Sequence, residues 1–221
     1  MLNESRAENQ HVEASLGMGL RVGAGGTAGA AEVEILKTSL NRLPQELIKK
    51  LSDFPIRFVA VRNNIIDYFP ELKGVSVPGA PGLTWELSPG GYISTSGEVV
   101  IAIRLDPVSG KFMIPRTGDG HGSYDLLFHE LGHACDENRV FGWTCLENQD
   151  FVDAWKVCRK RFNLWGYGWE EYANQPDFAG EAEAFAESFA RYFAKDPAFG
   201  KDFPELLQFW DKVVQEHSGP F

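Results

Sequence analysis

Ser123-Tyr-Asp-Leu-Leu-Phe-His-Glu-Leu-Gly-His-Ala-Cys-Asp-Glu137 decides how this chain reads. Its centre is His129-Glu130-Leu131-Gly132-His133, an HExxH pattern. An α-helix turns once per 3.6 residues, so His129 and His133 stack one turn apart on one face. Two imidazoles so placed reach one metal ion, and Glu130 is placed to take a proton from a water activated there. Leu126, Leu127, Phe128, Leu131 and Ala134 make the rest of this helix apolar. A buried helix holds His and Glu at a cost unless they are paired or metal-bound. The spacing therefore predicts a helix over 123–137, with Ser123 as N-cap, carrying two ligands and the base of a zinc-dependent peptidase.

Two His do not close a zinc site. The richest source of a third ligand is Gly180-Glu-Ala-Glu-Ala-Phe-Ala-Glu-Ser-Phe-Ala-Arg-Tyr-Phe193. Ala182, Phe185, Ala186, Phe189, Ala190 and Phe193 recur at helical spacing. Glu183 and Glu187 lie one turn apart beside that stripe. We assign Glu183 as third zinc ligand and Glu187 as acceptor for a ligand imidazole; the alternative is two solvated helix carboxylates.

HELGHACD at 129–136 followed by EAEAFAESFARYF at 181–193 resembles the catalytic domain of the anthrax lethal factor family, which includes the clostridial Pro-Pro endopeptidases and related effector metalloproteases. The resemblance covers roughly residues 95–215. It implies a gluzincin-type site: HExxH on one helix, and a ligand Glu on a later helix within E-x-x-x-E-x-F, here Glu183, Glu187 and Phe189. Asp136 also matches. The family carries a Tyr before the third ligand that assists the tetrahedral intermediate. Tyr172, in Tyr172-Ala-Asn-Gln-Pro176, takes that place, with Tyr167 as competitor; eleven residues separate Tyr172 from Glu183, more than is usual in the family.

The implied site is then Zn2+, one per chain, on His129, His133 and Glu183, with Glu130 and Tyr172 catalytic. The implied substrate is a protein or peptide, with a host protein as target if the chain is a toxin or effector. Two alternatives stand beside this reading: a secreted peptidase of narrow specificity, and a degenerate zincin fold that only binds a partner. The presence of Glu130 argues against the last, since a binding module needs no base.

The formal charge of −10 argues against nucleic acid and anionic membranes as partners. Cys135, Cys145 and Cys158 are too few and too oddly numbered for a disulfide framework. No run of 18 apolar residues predicts a membrane span. MLNESRAENQHVEAS lacks a Sec signal. Residues 1–16 fit the polar leader of an effector exported by another route, with a secretion chaperone as a further partner; cytoplasmic location is the alternative.

Residues 1–31 read as a flexible extension, with a Gly/Ala-rich linker over 17–31, and 32–221 as one domain. A helix runs to about Leu51 after Pro44. Pro55–Val61, Leu83–Leu87, Tyr92–Thr95 and Val99–Leu105 read as strands, and further helices fall at about 150–163, 180–195 and 204–217. The fold class is α+β: a small, mostly antiparallel sheet packed on the helices that carry the metal. Val99–Arg104 is the candidate edge strand for an extended substrate, or else an interior strand. Trp165-Gly-Tyr-Gly-Trp169 is a candidate cleft wall, and His121 either a substrate-facing or merely exposed loop residue.

Overall fold

The structure, a computed structural model, describes residues 14–15, 19–77 and 82–217. Its strands are β1 (Ala14–Ser15), β2 (Arg21–Ala24), β3 (Arg57–Arg62), β4 (Gly90–Ile93), β5 (Glu98–Leu105) and β6 (Phe112–Met113). Its helices are α1 (Ala30–Leu40), α2 (Gln45–Leu51), α3 (Leu126–Glu137), α4 (Gln149–Cys158), α5 (Trp169–Tyr172), α6 (Ala179–Phe193), α7 (Phe199–Asp202) and α8 (Pro204–His217). The predicted leader over 1–16 lies almost wholly outside the described residues. No helix among the described residues is long and apolar enough to cross a membrane.

The α+β class holds, and the sheet is mixed: its outer pairings are antiparallel and its centre is parallel. Its order is β1-β2-β3-β5-β4, with β6 pairing β5. β2 and β3 pair in parallel, and so do β3 and β5. Parallel neighbours need a crossover connection, and α1 and α2 supply the one between β2 and β3. The stretch read as a linker contains β2: Val22, Gly23 and Ala24 are buried and register against Phe58, Val59 and Ala60. Reading Gly17–Ala31 as a linker hid this strand, and with it the crossover that makes the centre of the sheet parallel. Leu83–Leu87 is a loop whose Thr84 makes one bridge to Ser76.

β5 is interior, between β3 and β4, so Val99–Arg104 is not the edge. Its run Val99–Ile103 is apolar on both faces because both faces are covered. Val99, Ile101 and Ile103 join the main core with α1, α3 and α6, while Val100 and Ala102 pack on Ile65, Tyr68 and Trp85 behind the sheet. β4 is the edge strand instead.

Candidate metal centre

α3 begins two residues later than Ser123 suggests. Asp125 is the N-cap, its side chain accepting from Phe128 N–H at 3.1 Å. Leu126, Leu127, Phe128 and Leu131 are all buried; each stabilises the fold by about 1.5–3 kcal/mol. Anchored on that side, the helix turns His129, Glu130 and His133 toward a cleft of about 550 Å³.

Gly132 sets how close α6 comes. A Cβ there would sit 2.7 Å from Ala186 Cα, so the helices meet backbone to backbone at this position. At that separation Glu183 and Glu187, one turn before and just after Ala186, bracket His129. His129, Glu183 and Glu187 are buried, while His133 is partly exposed to the cleft.

Three atoms converge. His129 Nε2 and His133 Nε2 are 3.2 Å apart, and each lies 3.4 Å from Glu183 Oε2. Tetrahedral coordination at 2.0–2.1 Å places ligand atoms about 3.3–3.4 Å apart, so the triangle has the dimensions of a zinc face. Glu183 Oε2 makes no hydrogen bond in this arrangement despite its burial, an arrangement that is costly without a cation. The residues therefore fit the metal. The electrostatics agree. Burial disfavours a charged His129, yet Glu183 and Glu187 outweigh it and lift the ring to about 10. Burial also disfavours ionised Glu183, but His133 and His129 hold its carboxyl well below the usual range. The cluster attracts positive charge.

Glu187 faces the other side of His129, its Oε2 3.4 Å from Nδ1. Its Oε1 accepts from Tyr124 N–H at 3.1 Å and from Arg191 Nε at 2.7 Å. Sequence reasoning missed Arg191; the available signal was a basic residue four after Glu187, inside an otherwise apolar stripe.

Glu130 Oε2 accepts the N–H of Tyr92 at 2.9 Å, which ties the carboxylate to the edge strand β4. Gly90 and Gly91 let that strand lie flat: a Cβ on Gly90 would meet Leu126 of α3 at 3.0 Å, and one on Gly91 would meet Trp85 at 2.4 Å. Tyr172, on α5, lines the same cleft as Glu183. Burial, reinforced by Glu183 and Glu130, pushes its phenol well above the ordinary range, so it stays a proton donor.

Tyr167 also lines the cleft but is 68% exposed. It sits at the rim in the left-handed region, φ 49°, between Gly166 and Gly168 of the same handedness. Of the candidate wall, Trp169 lines the cleft and donates to Gly122 O at 3.0 Å, while Trp165 packs inward on Phe162 and Phe203. His121 is mostly buried at the cleft, with Nε2 3.0 Å from Pro115 O. Asp136 accepts the Cys145 N–H and lies 3.2 Å from Cys145 Sγ, tying down the turn after α3. Cys135 is fully buried, a packing thiol.

With this geometry in view, the family model described as anthrax toxin lethal factor, N- and C-terminal domain, matches residues 28–213. The chain belongs to the anthrax lethal factor family. Membership in the lethal factor family reaches well before residue 95, where the recognisable motifs begin, and takes in α1, α2 and β3. None of the curated proteins matches the chain. Among solved structures, the Pro-Pro endopeptidase PPEP-2 from Paenibacillus alvei is similar, with 22% identity over 87% of this chain and 96% of that one and a TM-score of 0.63. That likeness shows a shared fold.

Proposed function

We propose that this member of the lethal factor family is a zinc-dependent endopeptidase. The observation that carries the reading is the triangle of His129 Nε2, His133 Nε2 and Glu183 Oε2, with Glu130 bonded to an edge strand in the same cleft. The name of the similar PPEP-2 and membership in the lethal factor family support it.

His129, His133 and Glu183 would hold the ion, which when bound supplies Lewis acidity. The chain does the rest. The exposed side of β4 aligns an extended peptide across the cleft. Glu130 takes the proton of the attacking water and passes it to the leaving amine. Tyr172, kept neutral, donates a hydrogen bond to the oxyanion as the carbonyl becomes tetrahedral. No covalent intermediate is needed. We further propose that the chain is a toxin or effector acting on a host protein.

Glu130→Gln tests the mechanism. The variant keeps zinc and loses about 10²–10⁴-fold in cleavage of a peptide library. Full cleavage by the variant sinks the assignment of Glu130. A wild-type chain that holds zinc yet cleaves nothing points to a binding module.

A further inference from the structure

We propose that Arg191, held by Asp196, is a positioning residue for the metal centre: it fixes the Glu187 carboxylate so that His129 presents Nε2 to the ligand triangle. The inference rests on the metal-site part of the functional reading, not on the substrate or on cleavage.

The argument starts from two buried atoms. His129 Nδ1 and Glu187 Oε2 have no hydrogen-bond partner of normal geometry, yet they face each other at 3.4 Å. Which Glu187 oxygen turns to the ring is decided on the far side. Oε1 is taken by Tyr124 N–H and by Arg191 Nε, and that leaves Oε2 for the imidazole. A ring that gives its Nδ1 proton to Oε2 has its Nε2 lone pair free, the tautomer a metal requires.

Arg191 is itself fixed. It is only 8% exposed, and its guanidinium lies between the rings of Tyr124 and Trp165, 5.2 and 5.1 Å from their centres. Its Nη1 donates to Asp196 Oδ2 at 2.7 Å. Asp196 is brought there by the end of α6. Lys195 turns left-handed, φ 59°, the Asp196 N–H reaches back to Arg191 O at 2.9 Å, and the Ala198 N–H caps Asp196 Oδ1 at 2.9 Å. Glu183, Glu187 and Arg191 thus follow one another at successive turns of one buried helix face. Burying a guanidinium and two carboxylates is a poor way to gain stability where apolar side chains would fit. The arrangement is better explained by what it holds in place.

The test is zinc affinity, measured by chelator competition on stripped and reloaded protein, beside the melting temperature of the metal-free chain. Arg191→Met is expected to weaken zinc binding about 10–100-fold. Arg191→Lys, which keeps the charge but not the fork, falls between that and wild type. Asp196→Asn is expected to weaken binding by at least about threefold. A merely structural role would lower the metal-free melting temperature and leave affinity alone. A folded Arg191→Met chain that binds zinc within about twofold of wild type overturns the proposal. If that variant does not fold, Asp196→Asn decides by the same criterion. A wild-type chain without zinc affinity overturns it as well. Because no substrate enters the measurement, an inactive but zinc-binding chain would refute cleavage without touching this inference.

Discussion

The pairing of α3 with α6 and the rim of the cleft are built on opposite principles. Between the helices His129, Glu183, Glu187 and Arg191 are buried and close-packed, down to the backbone contact at Gly132. At the rim, Tyr167 is 68% exposed and takes a left-handed backbone conformation that costs a non-glycine residue about 1–3 kcal/mol. The contrast separates two jobs. Groups that must be placed within fractions of an ångström sit on regular elements, while groups that meet a variable partner sit on loops.

Breaking the helix side should cost most. Glu183→Ala removes one corner of the triangle, so zinc content should fall from one per chain toward none, with cleavage lost; elemental analysis and a peptide assay check both. Retained stoichiometric zinc would mean another residue serves as ligand. Tyr172→Phe leaves the triangle intact and should lower kcat about 10²–10³-fold with KM little changed; an unchanged kcat would hand the role to another donor. Gly132→Ala touches no ligand but inserts a methyl group 2.7 Å from Ala186 Cα. Thermal melts should show about 1–3 kcal/mol lost, with weakened zinc binding. At the rim, Tyr167→Ala should leave zinc and kcat alone and shift kcat/KM among peptides by about tenfold or less. A large loss of kcat there would dissolve the distinction between helix and rim.

The same contrast explains what could be read from the chain. α3 and α6 were legible because their spacing is local: His129 with His133, and Glu183 with Glu187, follow from helical period alone. The sheet was not, because strand partners are set by segments far apart. Nothing within Arg21–Ala24 announces that it pairs with Arg57–Ala60, and its glycine-rich surroundings disguised it. The edge was misplaced for a readable reason: Val99–Ile103 is apolar at every position, which marks a strand covered on both sides, whereas Gly90-Gly-Tyr-Ile93 is short, as edges often are. Tyr172 needed the family resemblance, since no period relates it to Glu183; the structure puts it in the cleft against that carboxylate. Ser123 lost the capping position to Asp125 because both are good caps and only the start of the backbone turn selects between them.

The distance along the chain between His133 and Glu183 carries a last consequence. An ion held by both would tie α3 to α6 across about 50 residues, a cross-link of the kind a disulfide provides elsewhere; here the three cysteines are free and buried. Unfolding would then release the ion, so resistance to heat would climb with free zinc, by about 2.7 kcal/mol at a hundredfold excess over the dissociation constant. A chelator would act on such a chain as a denaturant as well as an inhibitor.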